Sequence, residues 1–251
     1  MTLEHFASFD GTRLAVHTLG EGRPVVLLHG LFSSAQMNWI RFGHAERLAA
    51  AGFRAIMLDF RVHGESEAPG DPAAYPTGVL VRDAAALAGH FALEPGGFDL
   101  VGFSLGARTA VHAVAHGILE PRRLAACGMG VEGLAGWARR AGFFKRVIDE
   151  FDTIRPGDPE YVTRTFLKSQ GIDRAAARLL LDAMDDFDLA MLANITMPTA
   201  VLCGDADRDN GSAEDLAALL ADARYIEVPG THMSSVTKPE LGIAIADFLA
   251  A

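Results

Sequence analysis

The alternation of short β-forming runs with longer Ala- and Leu-rich runs is the feature that most constrains the fold of this chain. Runs such as "PVVLLHG", "FRAIMLD" and "FDLVGF" are almost wholly apolar, and a segment with apolar residues at helical spacing follows each of them. Buried strands that alternate with helices are typical of βαβ units, whose helices cover both faces of a parallel sheet. The sequence therefore predicts an α/β fold with a mostly parallel sheet and helices on both of its faces.

The order of these runs predicts about eight strands. "EHFASF" and "RLAVHTL" flank Asp10 and Gly11, and an Asp-Gly pair between alternating segments predicts an antiparallel hairpin at the start of the chain. "NWIRFGHAERLAAAG" is predicted to be one helix that Gly52 stops. Near the C-terminus, strand, helix, strand and helix are predicted for "TAVLCG", "SAEDLAALLADA", "RYIEVPG" and "TKPELGIAIADFLA".

The segment from Leu134 to Asp188 departs from the alternation. It has helical periodicity without a convincing strand, and the turn residues of "RPGDPE" interrupt it. Because it lies between two strands of an otherwise regular pattern, we expect it to project over the edge of the sheet as a small helical lid. The expected organisation is a core formed by residues 1–133 and 189–251, with the lid at 134–188.

Composition limits the classes of partner. The chain has 251 residues, of which 50% are hydrophobic, and a formal net charge of −10. An acidic chain without clusters of Lys and Arg is not expected to bind nucleic acid or an anionic membrane. The motifs described below make a small-molecule substrate the expected partner. No signal peptide or spanning segment is evident, and a cytoplasmic location is expected. Monomer and homodimer both remain open, and Cys127 and Cys203 are expected to be buried thiols.

The stretch "GFSLG", from Gly102 to Gly106, carries the clearest chemical signal. It lies between a predicted strand and a predicted helix, which is the context that the G-x-S-x-G motif requires. A tight turn would hold the Ser104 hydroxyl clear of its own backbone, and free N–H groups at the start of the helix can bind a developing oxyanion. The alternative is an ordinary strand-to-helix turn with a serine that caps the helix.

Together with "VVLLHGLF" and "DFRVHGES", "GFSLG" resembles the α/β-hydrolase superfamily, and the resemblance covers nearly the whole chain. It implies that Ser104 is the nucleophile and that an acid and a histidine follow in that order. It also implies an oxyanion hole formed by the backbone N–H groups of Leu31 and Leu105. His29 is interpreted as a structural residue of its turn, and no cofactor is implied.

The acid and the histidine are expected after the last two strands. "GTHMS" offers His232, and "CGDADRDNG" offers Asp205, Asp207 and Asp209. The C-terminal ends of parallel strands share one edge of the sheet, so these side chains are expected beside the serine. Asp207 is favoured because Asp205 is suited to capping its own turn and Asp209 lies furthest from the strand. The spacing in the family also favours Asp207, while Asp205 and Glu132 remain alternatives.

Three other motifs suggest different chemistry and are disfavoured. A calcium loop that starts at Asp205 would need glycine at Asn210 and glutamate at Leu216. "GMGVEG" matches a dinucleotide-binding pattern, but it follows about six strands instead of opening the first βαβ unit, and a hinge is the more plausible role. "HAVAH" has the spacing of a zinc pair without the glutamate that a metalloprotease needs. No metal site is therefore expected.

The predicted function is hydrolysis of a small carboxylic ester through an acyl-enzyme. A lactonase, a carbon–carbon bond hydrolase and a cofactor-free perhydrolase would use the same triad, and a lid-gated ligand receptor is the non-enzyme alternative. A serine at the turn argues against dehalogenases and epoxide hydrolases. Aromatic residues predicted near the site are expected mainly to pack, but if they face inward they favour an uncharged acyl or aromatic substrate; they are Phe32, Trp39, Trp137 and Phe143.

Overall fold

A single eight-stranded sheet runs through the computed structural model, which describes all 251 residues. The strands are Thr2–Ala7 (β1), Arg13–Leu19 (β2), Arg23–Leu28 (β3), Phe53–Leu58 (β4), Asp99–Phe103 (β5), Leu124–Cys127 (β6), Thr199–Gly204 (β7) and Ala223–Val228 (β8). Their order in the sheet is β1-β2-β4-β3-β5-β6-β7-β8. From β4 to β8 all neighbouring strands are parallel, which confirms the predicted fold class.

The antiparallel part of the sheet is the predicted opening hairpin. β1 pairs with β2 from Thr2 opposite Thr18 to Ala7 opposite Arg13, and β2 continues antiparallel onto β4. Gly11 has a φ of 86° in the connecting turn. Glycine adopts this left-handed conformation without a steric penalty, which explains why the Asp-Gly pair marks the turn.

Ten α-helices connect or flank the strands. They are His44–Ala50 (α1), Val79–His90 (α2), Leu105–Ala115 (α3), Val131–Ala135 (α4), Trp137–Asp149 (α5), Tyr161–Ser169 (α6), Arg174–Asp182 (α7), Ala213–Leu219 (α8), His232–Ser235 (α9) and Pro239–Ala250 (α10). No helix combines the length and the apolar character that crossing a bilayer would require.

The prediction of one helix over "NWIRFGHAERLAAAG" is wrong. The segment forms a short π-helical turn at Gln36–Ile40 and a separate helix α1, with a break at Gly43. Gly43 has a φ of 75°, and a Cβ at this position would lie 2.7 Å from Nη1 of Arg47. Because only glycine adopts this conformation readily, Gly43 ends the first turn and caps the second.

The central strands are buried on both faces. In β3, Val26 and Leu28 join the larger hydrophobic cluster on one side of the sheet, whereas Val25 and Leu27 join the cluster on the other side. All four side chains are at most 1% exposed. This double burial explains why the strand lacks the polar alternation of a half-exposed strand.

Helices α5, α6 and α7 lie between β6 and β7, within the segment predicted to be a lid. α5 packs against both α6 and α7, and residues 155–160 ("RPGDPE") form the turn between α5 and α6. Arg108 of α3 donates hydrogen bonds to the carbonyl oxygens of Gly133 and Leu134 at the start of this segment and of Asp185 at its end. One buried side chain of the core therefore contacts both ends of the helical segment.

Candidate active site

Ser104 occupies a strained turn between β5 and α3. Its φ is 52° and its ψ is −110°, a backbone conformation that is rare for a residue with a side chain. A Cβ at Gly102 would lie 2.3 Å from the carbonyl carbon of Gly106, and a Cβ at Gly106 would lie 2.0 Å from the oxygen of Leu28. The flanking glycines thus allow strand and helix to approach closely enough to present Ser104 at the edge of the sheet.

His232 lies beside this turn, at the start of the short helix α9 that follows β8. Its Nε2 is 2.9 Å from Oγ of Ser104, and its Nδ1 is 2.8 Å from Oδ2 of Asp207. Because an ionised carboxylate only accepts hydrogen bonds, the Nδ1–H donates to Asp207 and leaves Nε2 free to accept from the serine hydroxyl. This tautomer is the one that a general base at Ser104 requires.

Asp207 is held as a carboxylate by several donors. Its side chain is 1% exposed and also accepts the backbone N–H of Asp209 at 3.0 Å. Burial alone would raise the pKa of Asp207, but the hydrogen bond and the charge of His232, together with the Asp209 N–H, outweigh burial and lower that pKa below its usual range. The group facing His232 is therefore ionised at neutral pH.

The other candidate acids have different partners. Oδ1 of Asp205 accepts the N–H of Gly230 at 2.7 Å, so this side chain joins the loop after β7 to the loop after β8. Glu132 is exposed and pairs with Arg139 at 2.5 Å. Asp209 is exposed and its carboxylate makes no hydrogen bond. Among the carboxylates considered, the structure brings Asp207 into contact with His232.

The backbone N–H groups of Leu31 and Leu105 flank Ser104 without an acceptor in the protein. Leu105 is the first residue of α3, where helix geometry leaves the N–H unpaired. Leu31 follows the "HG" pair in a turn, and the next N–H, of Phe32, donates instead to Nε2 of His63 at 3.0 Å. Both leucines border a small pocket of about 20 Å³ next to Ser104. The protein itself thus leaves unpaired the two N–H groups that the sequence suggested, and their role as an oxyanion hole stays a prediction.

Two buried histidines fix the loop that carries Leu31. His29 donates from Nδ1 to the oxygen of Gly30 and accepts the N–H of Phe60 at Nε2, while His63 donates to the oxygen of Arg61. Burial lowers the pKa of both imidazoles, and the pKa of His63 falls to about 3. Both rings are therefore neutral at physiological pH and hold the loop through hydrogen bonds to its backbone, in agreement with the structural interpretation of His29.

A cavity of about 550 Å³ opens above Ser104 and His232. Its wall is mainly apolar and combines residues of the core with residues of α5 and α6: Leu31, Phe32, Met37, Phe42, Phe103, Phe143, Phe144, Pro159, Val162, Phe166, Met233 and Val236. Of the four aromatic residues suggested by the sequence, Phe32 and Phe143 line this cavity. The volume is in the range typical of small-molecule sites.

The two tryptophans do not line this cavity, and for Trp39 the prediction is wrong. Trp39 is fully buried in the hydrophobic cluster on the other face of the sheet. Its ring makes a T-shaped contact with His44, with the ring centroids 6.4 Å apart. Trp137 borders the small pocket beside Ser104, and its ring stacks on that of Phe144 with the ring centroids 6.1 Å apart. Sequence proximity to the site did not reveal which face of the chain each indole would take.

Arg140 is a cavity residue that sequence reasoning missed. It lies on α5 beside Phe143 and Phe144, which are three and four positions further along, and it lines the same cavity. Residues at that spacing share one face of a helix. The spacing from Arg140 to Phe143 therefore places the two side chains on one helix face, but the position of α5 over the core decides that this face lines the cavity.

One cluster around His232 has the composition of a metal site. Ligand atoms of Asp207, Asp209 and His232 lie within 4.8 Å of one another. However, Nδ1–H of His232 and Oδ2 of Asp207 are hydrogen-bonded to each other at 2.8 Å, and a metal would have to displace that proton. The arrangement fits a base and its orienting carboxylate better than it fits a cation.

The sheet order, the strained serine turn and the histidine after β8 define an α/β protein that presents a histidine-bonded serine at the C-terminal edge of its sheet. The family model for the alpha/beta hydrolase family matches residues 25–243. The chain therefore belongs to this family, as the sequence motifs indicated.

Solved structures with the same fold cover almost the whole chain. A hydrolase from Pseudomonas aeruginosa is 23% identical with a TM-score of 0.77, and it matches 100% of this chain and 99% of its own. An enol-lactonase from Burkholderia xenovorans is 24% identical with a TM-score of 0.73, covering 99% and 100% of the two chains. An esterase from Thermogutta terrifontis is 22% identical with a TM-score of 0.78, covering 99% and 98%.

One curated relative matches a shorter stretch at higher identity. A protein of Mycobacterium phage D29, named for non-heme haloperoxidase activity, is 43% identical over 74 residues. Those residues are 30% of this chain and 23% of that relative, so the match covers less than a quarter of the relative's length.

Proposed function

We propose that the protein is a serine hydrolase that cleaves a small carboxylic ester through an acyl-enzyme. The observation that supports this proposal is the hydrogen-bonded series from Ser104 through His232 to Asp207, at the floor of a largely apolar cavity. Each member has the partner that its role requires, since the serine needs a base and the base needs a carboxylate that fixes its tautomer.

In the first half of the reaction, Oγ of Ser104 attacks the ester carbonyl while Nε2 of His232 takes the hydroxyl proton. The carbonyl oxygen becomes an oxyanion, and the N–H groups of Leu31 and Leu105, which have no acceptor in the protein, bind it. Asp207 stabilises the imidazolium that forms. His232 then returns the proton to the departing alkoxide, the carbon–oxygen bond breaks, and an alcohol leaves.

In the second half, water replaces the alcohol. His232 takes a proton from the water as it attacks the acyl-enzyme carbonyl, and the same two N–H groups bind the second oxyanion. The proton then returns to Oγ as the bond between Ser104 and the acyl group breaks. The products are a carboxylic acid and the regenerated serine, and no redox step or cofactor enters the sequence.

Lactone hydrolysis is the second candidate. A lactone is a cyclic ester, so the same two steps would open it, and one structural neighbour is an enol-lactonase. Perhydrolysis and carbon–carbon bond hydrolysis would use the same three side chains, and a lid-gated receptor would keep the cavity without turnover. The absence of nucleic-acid and membrane partners and a cytoplasmic location also remain predictions.

Steady-state turnover of 4-nitrophenyl butyrate and of a panel of simple lactones tests this proposal. We expect ester hydrolysis by the wild-type protein and loss of turnover by at least about 10³-fold in Ser104→Ala. Ser169→Ala, a change at an exposed serine at the end of α6, is the matched control and should keep full activity. No turnover across the panel, or full activity in Ser104→Ala, would contradict the proposal.

A further inference from the structure

Arg140 places a guanidinium in the wall of the cavity that holds Ser104 and His232. It also borders the small pocket that Ser104, Leu31 and Leu105 share. A ligand whose carbonyl lies over Ser104 can therefore extend toward a positive charge. The other residues of the cavity wall with titratable side chains are His232 and Asp209.

Most hydrogen-bonding capacity of Arg140 is unused by the protein. A guanidinium has five N–H donors, and the protein engages one of them, through Nη1 to the carbonyl oxygen of Asp209. No carboxylate lies within ion-pair distance of Arg140, whereas its neighbour Arg139 pairs with Glu132 at 2.5 Å on the exposed side of the helix. Cζ of Arg140 lies 5.8 Å from the centroid of the Phe144 ring. Its free donors are thus available to a ligand in the cavity.

The surroundings of Arg140 make an anionic ligand favourable. Burial is the largest influence on the pKa of Arg140 and lowers it, while the charges of Asp209 and Asp207 partly restore it. A partly desolvated guanidinium with free donors gains more from a carboxylate than an exposed one does, because the planar fork can bind both oxygens at once. An uncharged substrate would leave those donors unpaired.

We infer that Arg140 binds a carboxylate of the substrate, so that the preferred ester carries an anionic group within reach of the scissile carbonyl. This inference rests on the proposed ester hydrolysis for its substrate and deepens it. It replaces the sequence-based expectation of an uncharged substrate, which depended on aromatic residues alone. The apolar wall then contacts the hydrocarbon part of the molecule, and Arg140 contacts its charged end.

Asp209 contributes a negative charge to the cavity that Arg140 also lines. Its carboxylate lines the cavity without a hydrogen bond, and it would repel an anionic ligand near Arg140. Asp209→Asn should therefore raise the preference for an anionic ester, whereas Arg140→Gln should lower it. A residue that merely braced α5 against the loop after β7 would not show this opposition.

The discriminating experiment compares two 4-nitrophenyl esters of matched length, mono-4-nitrophenyl glutarate and 4-nitrophenyl hexanoate. We expect the wild-type ratio of kcat/KM, anionic over neutral, to be at least ten times the ratio of the uncatalysed rates. Arg140→Gln should reduce the enzymatic ratio at least ten-fold, and Arg140→Lys should reduce it less. Arg139→Gln, one residue away on the exposed side, is the control that should leave the ratio unchanged.

An equal loss of kcat/KM on both esters in Arg140→Gln would show that Arg140 only supports the structure, and it would overturn the inference. A wild-type protein without a preference for the anionic ester would also overturn it. Calorimetric titration of Ser104→Ala with glutarate separates this outcome from failure of the proposed function. If the wild-type protein has no ester turnover, but Ser104→Ala binds glutarate at least ten-fold more tightly than Ser104→Ala/Arg140→Gln does, hydrolysis is overturned and the carboxylate site is kept. Ester turnover without such binding or preference would keep hydrolysis and overturn the carboxylate site.

Discussion

Three aspartates within the loop after β7 have three different environments. Asp207 is buried and bonds to His232, Asp205 accepts the N–H of Gly230, and Asp209 faces the cavity without a hydrogen bond. Chemically identical side chains two residues apart are thus distinguished by the direction in which the turn projects them. The differences allow each carboxylate to be tested by the same isosteric change.

Asp207→Asn is expected to reduce ester turnover by about 10³–10⁴-fold, because an amide cannot hold the Nδ1–H tautomer of His232 in the way that a carboxylate does. Asp205→Asn keeps an oxygen that can accept from Gly230, and we expect a loss of less than about ten-fold. Steady-state kinetics with 4-nitrophenyl butyrate measures both. Equal losses at Asp205 and Asp207 would assign the wrong carboxylate to the histidine.

The sequence predicted the residues around the serine but not the whole wall of the cavity. Ser104, His232 and the aspartate loop could be predicted from the sequence because each follows a strand, and parallel strands end at one edge of the sheet. Arg140 was missed because its role depends on how α5 lies over the core, which no local pattern specifies. Trp39 was misplaced for the same reason, since its neighbours along the chain face the cavity while its own side chain packs behind the sheet.

At the scale of single elements, the strand-to-helix turn at Ser104 has no room for a side chain at either flanking glycine. The closest approaches involve backbone atoms, which cannot rotate away as a flexible side chain can. The break at Gly43 has a different cause, because the left-handed φ of 75° at this glycine divides a segment whose apolar spacing suggested one helix. Glycines therefore set element boundaries that periodicity alone did not reveal.

Gly106→Ala is expected to destabilise the protein by about 3 kcal/mol or more, because the new Cβ would lie 2.0 Å from the oxygen of Leu28. Gly89→Ala is the matched control. Gly89 lies in the last turn of α2, and a Cβ added there would meet no neighbouring heavy atom within 4 Å, so alanine should raise stability by about 0.5 kcal/mol. Denaturant unfolding of both variants checks the contrast, and wild-type stability in Gly106→Ala would refute it.

Arg108→Gln is expected to loosen the helical segment between β6 and β7. Burial lowers the pKa of Arg108 to about 10, yet its guanidinium holds the carbonyl oxygens of Gly133, Leu134 and Asp185. Losing these charge-assisted bonds should cost about 2–4 kcal/mol. We expect amide hydrogen exchange in residues 134–188 to be faster in Arg108→Gln than in the wild type, and exchange in the sheet to be unchanged.

Arg178→Gln is the control for this experiment. Arg178 is partly exposed on the surface of the same segment and pairs with Asp149 at 3.3 Å and with Asp182, and each such surface pair contributes less than about 1 kcal/mol. Its exchange pattern should match the wild type. If Arg108→Gln accelerated exchange uniformly across the molecule, Arg108 would stabilise the whole fold and not specifically the helical segment.

At the scale of the whole molecule, buried neutral histidines link stability to pH. Burial lowers the pKa of His29, His44, His63 and His112, and it places the pKa of His63 and of His112 at about 3. Each ring stays neutral in the folded protein but takes up a proton in the unfolded chain below about pH 6.5. Unfolding therefore consumes protons, and the free energy of unfolding should fall as the pH drops from about 7 toward 3.

For His63 alone, this linkage amounts to about 2 kcal/mol between pH 7 and pH 5. His63→Gln keeps an acceptor for the N–H of Phe32 but removes the titration, so its stability should fall by about 2 kcal/mol less over that interval than the wild type does. Denaturant unfolding at the two pH values gives both differences. Equal losses in variant and wild type would mean that His63 titrates normally in the folded state.

The central claim, that Ser104 is a nucleophile activated by His232, is tested most directly by a fluorophosphonate probe followed by mass-spectrometric localisation of the adduct. The account predicts stoichiometric modification of Ser104 in the wild type and none in Ser104→Ala. Labelling should be strongly slowed in His232→Ala, because the probe requires the activated hydroxyl. An unmodified wild-type protein, or an adduct on another serine, would contradict the account.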